Sequence, residues 1–146
     1  MYLDIADRLA KESHAVRLKV GAVFVSPDGV MSTGINGLPP GGDNLCEYET
    51  WVPRNEGKVH TVTKPEVSHA EENLFSKLMK QGVSTKDGAM FLTHAPCIHC
   101  AKIIVGAGIR EVYYTNEYRA QNGVDWLKKN NVLTKSKVDF VDSLPG

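Results

Sequence analysis

The sequence predicts an α/β fold: a three-layer α/β/α sandwich around a mixed sheet of about five strands, with helices on both faces. Three observations carry this. Short strand-like runs alternate with helix-period segments through the second half of the chain, the pattern of parallel strands joined by crossover helices. Near the start, two strand-like runs flank a turn sequence and read as an antiparallel pair. The chain has 146 residues, 42% hydrophobic and 23% charged, which suits one core and a single domain over 1–146.

Each element follows from its residues. Leu3, Ile5, Ala6, Leu9 and Ala10 recur at helical spacing and predict an amphipathic helix ending near Ser13. Val20 to Val25 and Val30 to Ile35 are strands separated by Ser26-Pro-Asp-Gly29, hence a β-hairpin. From Gly37 to Val67 there are 31 residues with Gly37, Gly41, Gly42, Pro39, Pro40, Pro53 and Pro65 and no sustained period, which reads as one long functional loop. His69 to Gln81 places Leu74, Leu78 and Met79 on one stripe and stops before Gly82, a helix. A strand at Met90 to His94 is followed by a helix that Pro96 opens and that runs to about Ala107. Glu111 to Thr115 reads as a strand, Ala120 to Asn130 as a helix, and Val138 to Val141 as the last strand.

Charge narrows the partners. Lys plus Arg is 17 and Asp plus Glu is 17, so the formal net charge is zero, which argues against a nucleic-acid surface and for a small ligand. Met1 to Ala15 carries Asp4, Asp7 and Arg8 within its apolar pattern and reads as neither a signal peptide nor a membrane span, so a cytoplasmic protein is expected. Three cysteines, two of them only three apart, point to metal or redox chemistry in a reducing compartment.

Two segments carry that chemistry: Ser68-His69-Ala70-Glu71 and Pro96-Cys97-Ile98-His99-Cys100, each at the start of a predicted helix. Cys97 and Cys100, as i and i+3 on one helix face, set two sulfurs within reach of one ion, and the helix N-terminus favours thiolates. Two thiolates and the His69 imidazole suit Zn²⁺ and leave its fourth position open, the hallmark of a catalytic site. A base is then needed beside the ion, and Glu71 is placed for it. Simpler readings stand beside this one. Ser68 and Glu71 spell S-x-x-E, a helix capping box that needs no chemistry. Cys46 or His60 from the long loop could close the site as a fourth ligand and make it a structural zinc module, and Asn36-Gly37 is a turn dipeptide in its own right. Arg17 and Lys19 either serve an anion or flank a strand.

These segments resemble the cytidine deaminase-like zinc-dependent superfamily, and within it the deoxycytidylate (dCMP) deaminases. Val20-Gly-Ala-Val23, the stretch from Gly34 to Gly41, Asn73, Ala101-Lys102, Ala107-Gly-Ile109 and Glu111 to Tyr114 extend the resemblance over nearly the whole chain. The resemblance implies hydrolysis of dCMP to dUMP with release of ammonia, zinc held by His69, Cys97 and Cys100, and Glu71 carrying protons to N3 and to the leaving amine. It implies substrate contacts from Asn36, the Ala70 backbone amide, Tyr118 and Arg119. It further implies a homohexamer, activated by dCTP with Mg²⁺ and inhibited by dTTP, with an effector site built on Gly34, Asn36, Gly37, Gly41 and Gly42. A second, structural zinc near Cys46 and His60 occurs in some phage-type relatives. The sequence departs from the family at Ile35, where an aromatic is common, and at Ala95, where Ser commonly precedes Pro-Cys; neither belongs to the zinc set. Deamination of another free base or nucleoside, such as cytidine or guanine, is the alternative within the enzyme class.

Overall fold

The structure is a computed structural model that describes residues 1–38, 45–51, 59–118 and 120–142. Arg119, Gly41, Gly42 and the side chain of His60 lie outside the described residues. The chain opens with α1 (Tyr2–Ala10), whose Leu3, Ala6 and Ala10 are buried at helical spacing while Asp4 and Arg8 complement the helix dipole. The hairpin follows as β1 (Gly21–Val25) and β2 (Met31–Ile35). Its turn is closed by the Gly29 amide donating to the Ser26 carbonyl (2.9 Å) and the Val30 amide to Ser26 Oγ (2.8 Å), with Gly29 at φ 90° where a side chain would be strained.

Next come β3 (Glu47–Trp51) and β4 (Val59–Thr63), an antiparallel pair from Glu47 opposite Thr63 to Trp51 opposite Val59. This corrects the reading of Gly37 to Val67 as a loop without regular structure. Each strand is only five residues long, and their β-branched and aromatic residues are outweighed locally by the glycines and prolines around them. Helix α2 (Ala70–Gln81) ends at Gly82, left-handed at φ 66°, with the Val83 amide returning to the Leu78 carbonyl (3.0 Å). The rest alternates as expected: β5 (Ala89–His94), α3 (Ile98–Gly106), β6 (Glu111–Asn116), α4 (Asn122–Lys129), β7 (Leu133–Ser136) and α5 (Lys137–Asp142).

The last strand therefore lies at 133–136, and the expected strand at Val138 to Val141 is helical. Ser136 explains the change: its Oγ accepts from the Asp139 amide (3.2 Å), a cap that starts a helix where apolar content alone suggests a strand. Helix α3 likewise starts at Ile98 rather than at Pro96, because Cys97 is the extended N-cap and Pro96 precedes it.

The main sheet has the order β2-β1-β5-β6-β7, antiparallel from β2 to β5 and parallel from β5 to β7. Alternation decides the layers. Phe24, Met90, Leu92 and Val112 point to one face and bury against Leu74 and Leu78 of α2, Ile104 of α3 and Leu127 of α4. On the other face Phe91 stacks on Tyr113 (5.2 Å) and meets Tyr2 of α1 (4.9 Å). Each fully buried leucine contributes about 1.5–3 kcal/mol. Gly34 lets α2 approach β2 closely: a Cβ there would lie 2.5 Å from the Ala70 carbonyl oxygen and 2.8 Å from the Leu74 amide. That approach sets the N-terminus of α2 beside the ends of the central strands.

Candidate metal centre and its cavity

Two helix starts meet at the ends of β1, β2 and β5. His69 is the N-cap of α2, in extended conformation at φ −67° and ψ 158°, and Cys97 occupies the same position in α3 at φ −70° and ψ 168°. The Cys97 sulfur takes the place of a capping oxygen and accepts from the Cys100 amide at 3.4 Å. The two sulfurs thus converge through a cap and the third residue of the helix, rather than along one helix face. Gly123 of α4 locks this turn from behind: a Cβ there would come within 2.1 Å of the Pro96 carbonyl oxygen and 2.8 Å of the Cys97 carbonyl carbon.

His69 Nδ1, Cys97 Sγ and Cys100 Sγ lie within 4.8 Å of one another, and they form the one such cluster among the described residues. The imidazole nitrogen stands 3.7 Å from the Cys97 sulfur and 3.3 Å from the Cys100 sulfur. A tetrahedral zinc with ordinary bond lengths needs nitrogen and sulfur about 3.5 Å apart, so the donor set fits the ion in both chemistry and spacing. Cys46, buried at the start of the β3–β4 hairpin, is not part of this cluster and does not close it.

The protonation pattern of the triad agrees. The hydrogen bond from Cys100 holds the Cys97 thiol down, at about 3, and the same contact together with burial pushes Cys100 up. The hydrogen bond to Cys97 raises His69 to about 9. Protons share the three donors unequally; a divalent cation favours both thiolates and a neutral imidazole together.

Glu71 stands just inside α2, only 5% exposed, and burial pushes its carboxyl up. It is not a capping residue. The carboxylate that accepts from the His69 amide belongs to Glu72 (2.8 Å), so the box is shifted one residue from the predicted Ser68 and Glu71, leaving Glu71 to face the cavity. Glu72 also approaches His99 Nε2 of α3 at 3.6 Å.

The cavity has a volume of about 540 Å³ and is lined by His69, Ala70, Glu71, Cys97, Asn36 and Tyr118, which brings together the predicted metal, catalytic and substrate residues apart from Arg119, which lies outside the described residues, and Cys100, which is buried behind the wall. Asn36 is more than a turn residue. Its Oδ1 accepts from the Val20 amide (2.9 Å) and its Nδ2 donates to the Leu18 carbonyl (2.7 Å), bracing the segment before β1. Three titratable lining residues were not predicted from the sequence: Glu47, Lys64 and His94. His94 adjoins Ala95-Pro96-Cys97, a proximity that could have flagged it; its Nδ1 lies 2.9 Å from Thr93 Oγ1, and burial lowers its pKa, favouring the neutral ring. Glu47 and Lys64 come from the hairpin hidden in the presumed loop and left no local signal. A second cavity of about 340 Å³ lies beside Gly34, Ile35, Asn36 and Gly37, with Lys77 and Lys80 of α2 on its wall.

Residues 1–116 match the family described as the cytidine and deoxycytidylate deaminase zinc-binding region. The chain is 36% identical over 132 residues to ComE operon protein 2 of Bacillus subtilis, covering 90% of this chain and 66% of that protein. It is 31% identical over 160 residues to the deoxycytidylate deaminase of Enterobacteria phage T4, covering 88% of this chain and 83% of the other. Among solved structures it is similar to the dCMP deaminase of cyanophage S-TIM5 in complex with dCMP and dUMP, with a TM-score of 0.80 and 36% identity over 92% of this chain and 93% of that one.

Proposed function

Since the chain belongs to the cytidine and deoxycytidylate deaminase zinc-binding family, we propose that it is a dCMP deaminase, converting dCMP and water to dUMP and ammonia. The observation that carries this reading is the His69, Cys97, Cys100 triangle with a buried acid outside it in the same cavity. One zinc per chain, when bound there, supplies the Lewis acidity that makes water a nucleophile near neutral pH. Glu71 takes one proton of the attacking water and delivers it to N3 as the oxygen adds to C4, then takes the remaining proton from the new C4 hydroxyl and gives it to the amino group, so that the C4–N4 bond breaks, ammonia leaves and the C4 carbonyl of dUMP remains. Its raised pKa suits a group that must both accept and return a proton. The Ala70 amide, first in α2 and without an intrahelical acceptor, is the donor for the pyrimidine O2. Asn36 and Tyr118 border the sugar, and Arg17 and Lys64 are cations on the cavity wall toward the phosphate.

Ammonia release from a panel of dCMP, CMP, deoxycytidine, cytidine, guanine and adenosine tests this. A charge-assisted bond to phosphate contributes about 1.5–3 kcal/mol, so kcat/KM for dCMP is expected to exceed that for deoxycytidine by about tenfold or more. Equal efficiency on the two, or turnover of guanine alone, would overturn the assignment.

The second cavity, with Gly34 to Gly37 on one side and two lysines on the other, supports the reading of a regulatory nucleotide site that includes Gly34, Asn36 and Gly37. There dCTP with Mg²⁺ activates and dTTP inhibits, within a homohexamer working in the cytoplasm, where two thiolate ligands stay reduced. The expected result is sedimentation as a hexamer at micromolar concentration, with dCMP kinetics that dCTP makes more hyperbolic and dTTP suppresses. A monomer indifferent to both triphosphates would count against regulation and leave the chemistry unaffected. Among the described residues no helix is long and apolar enough to cross a membrane.

A further inference from the structure

The segment from Val16 to Val20, between α1 and β1, is gripped by side chains on both sides of a single arginine. On one side, one oxygen of the Glu47 carboxylate accepts from the backbone amides of Val16 (2.7 Å) and Arg17 (3.2 Å), reaching across 31 and 30 residues from β3. On the other, the Asn36 amide binds the Leu18 carbonyl and the Val20 amide. Arg17 lies between these two clamps. It lines the cavity, and its guanidinium has no hydrogen bond or ion pair among the described residues.

Two successive amides converging on one oxygen form a small anion-binding concavity, and here a carboxylate fills it from within the chain. Glu47 itself lines the cavity, where a bare carboxylate would repel a phosphate. Its charge is instead held by the two amides, and the arginine whose backbone it fixes lines the cavity with a guanidinium, a fork of donors, that bonds to none of the described residues.

We propose that Glu47 is a positioning residue, which fixes the Val16–Arg17 backbone so that the Arg17 guanidinium binds the phosphate of the nucleoside monophosphate. The proposal rests on the dCMP reading for the identity of that nucleotide and adds the residue that sets preference for a phosphorylated over a bare nucleoside.

Calorimetric binding of dUMP and deoxyuridine to the zinc-loaded protein tests it without needing turnover. The quantity read is the ratio of the two affinities, which cancels losses common to both ligands. Wild type is expected to favour dUMP by about tenfold or more, and Glu47→Ala to reduce that ratio by about tenfold. Glu47→Gln should keep the ratio within about twofold, because its amide oxygen can accept the same two bonds. Arg17→Ala should match Glu47→Ala, and the double variant should lose no more than Arg17→Ala alone, since both act through one contact. Glu47→Asp keeps the charge on a shorter arm and repeats the test should the alanine variant fail to fold; a fall of twofold or more confined to dUMP supports the proposal. Equal weakening of dUMP and deoxyuridine, losses that multiply in the double variant, or a wild type that binds both ligands alike would overturn it. A protein that binds dUMP selectively yet releases no ammonia from dCMP would sink the deaminase reading and leave this one standing.

Discussion

Glu71→Gln is expected to keep one zinc per chain and to lose about 10² to 10⁴ in kcat on dCMP, the usual worth of a positioned general acid and base. Three observations separate the proton from the metal. The carboxylate is not one of the three clustered donors, it is buried on the cavity wall, and the helix is capped by its neighbour. Replacing Glu71 by an amide of the same shape therefore leaves the ligands and the start of α2 in place. Steady-state ammonia release paired with elemental analysis checks this, and a variant within threefold of wild type would show that Glu71 moves no proton. Glu72→Gln is the matching control, because it weakens a cap worth about 1 kcal/mol and leaves the acid untouched.

Removing a ligand acts on a different quantity. Cys100→Ala is expected to purify without stoichiometric zinc, to show no measurable deamination and to melt lower than wild type. An ion present at about a thousand times its dissociation constant stabilises the state that binds it by about 4 kcal/mol. For a chain of this length that corresponds to roughly 10 °C in Tm. Calorimetry with and without a chelator provides the internal comparison: the chelator should lower the wild-type Tm towards that of Cys100→Ala and leave the variant nearly unchanged. Full zinc occupancy in Cys100→Ala would remove that residue from the ligand set.

The same distinction between local and distant causes explains what was legible in advance. The first hairpin could be read because Ser26-Pro-Asp-Gly29 writes its own turn, and α2 because its apolar stripe and Gly82 lie within one stretch of chain. The β3–β4 hairpin could not, because its pairing joins residues up to sixteen apart through a segment rich in turn residues. At the C-terminal end, Val138 and Val141 suggested a strand, but the Ser136 hydroxyl starts a helix there, and pairing to β6 moves the strand back to 133–136.

By itself the sequence determined a zinc-binding set of one histidine and two cysteines and marked Glu71 as the acid beside it, since residue type dictates metal preference and His-x-Glu and Cys-x-x-Cys each act within one turn of backbone. That Glu71 does not cap α2 was decided only in three dimensions, where Glu72 accepts from the His69 amide and Glu71 lines the cavity. Tertiary structure alone also decided the cavity wall, where Glu47 and Lys64 from the hairpin meet Arg17 from the loop after α1 and His94 from the end of β5. Periodicity and capping propagate over a few residues, whereas a cavity is closed by contacts spanning 30 residues or more, whose partners are selected by the packing of the whole sheet and its helices.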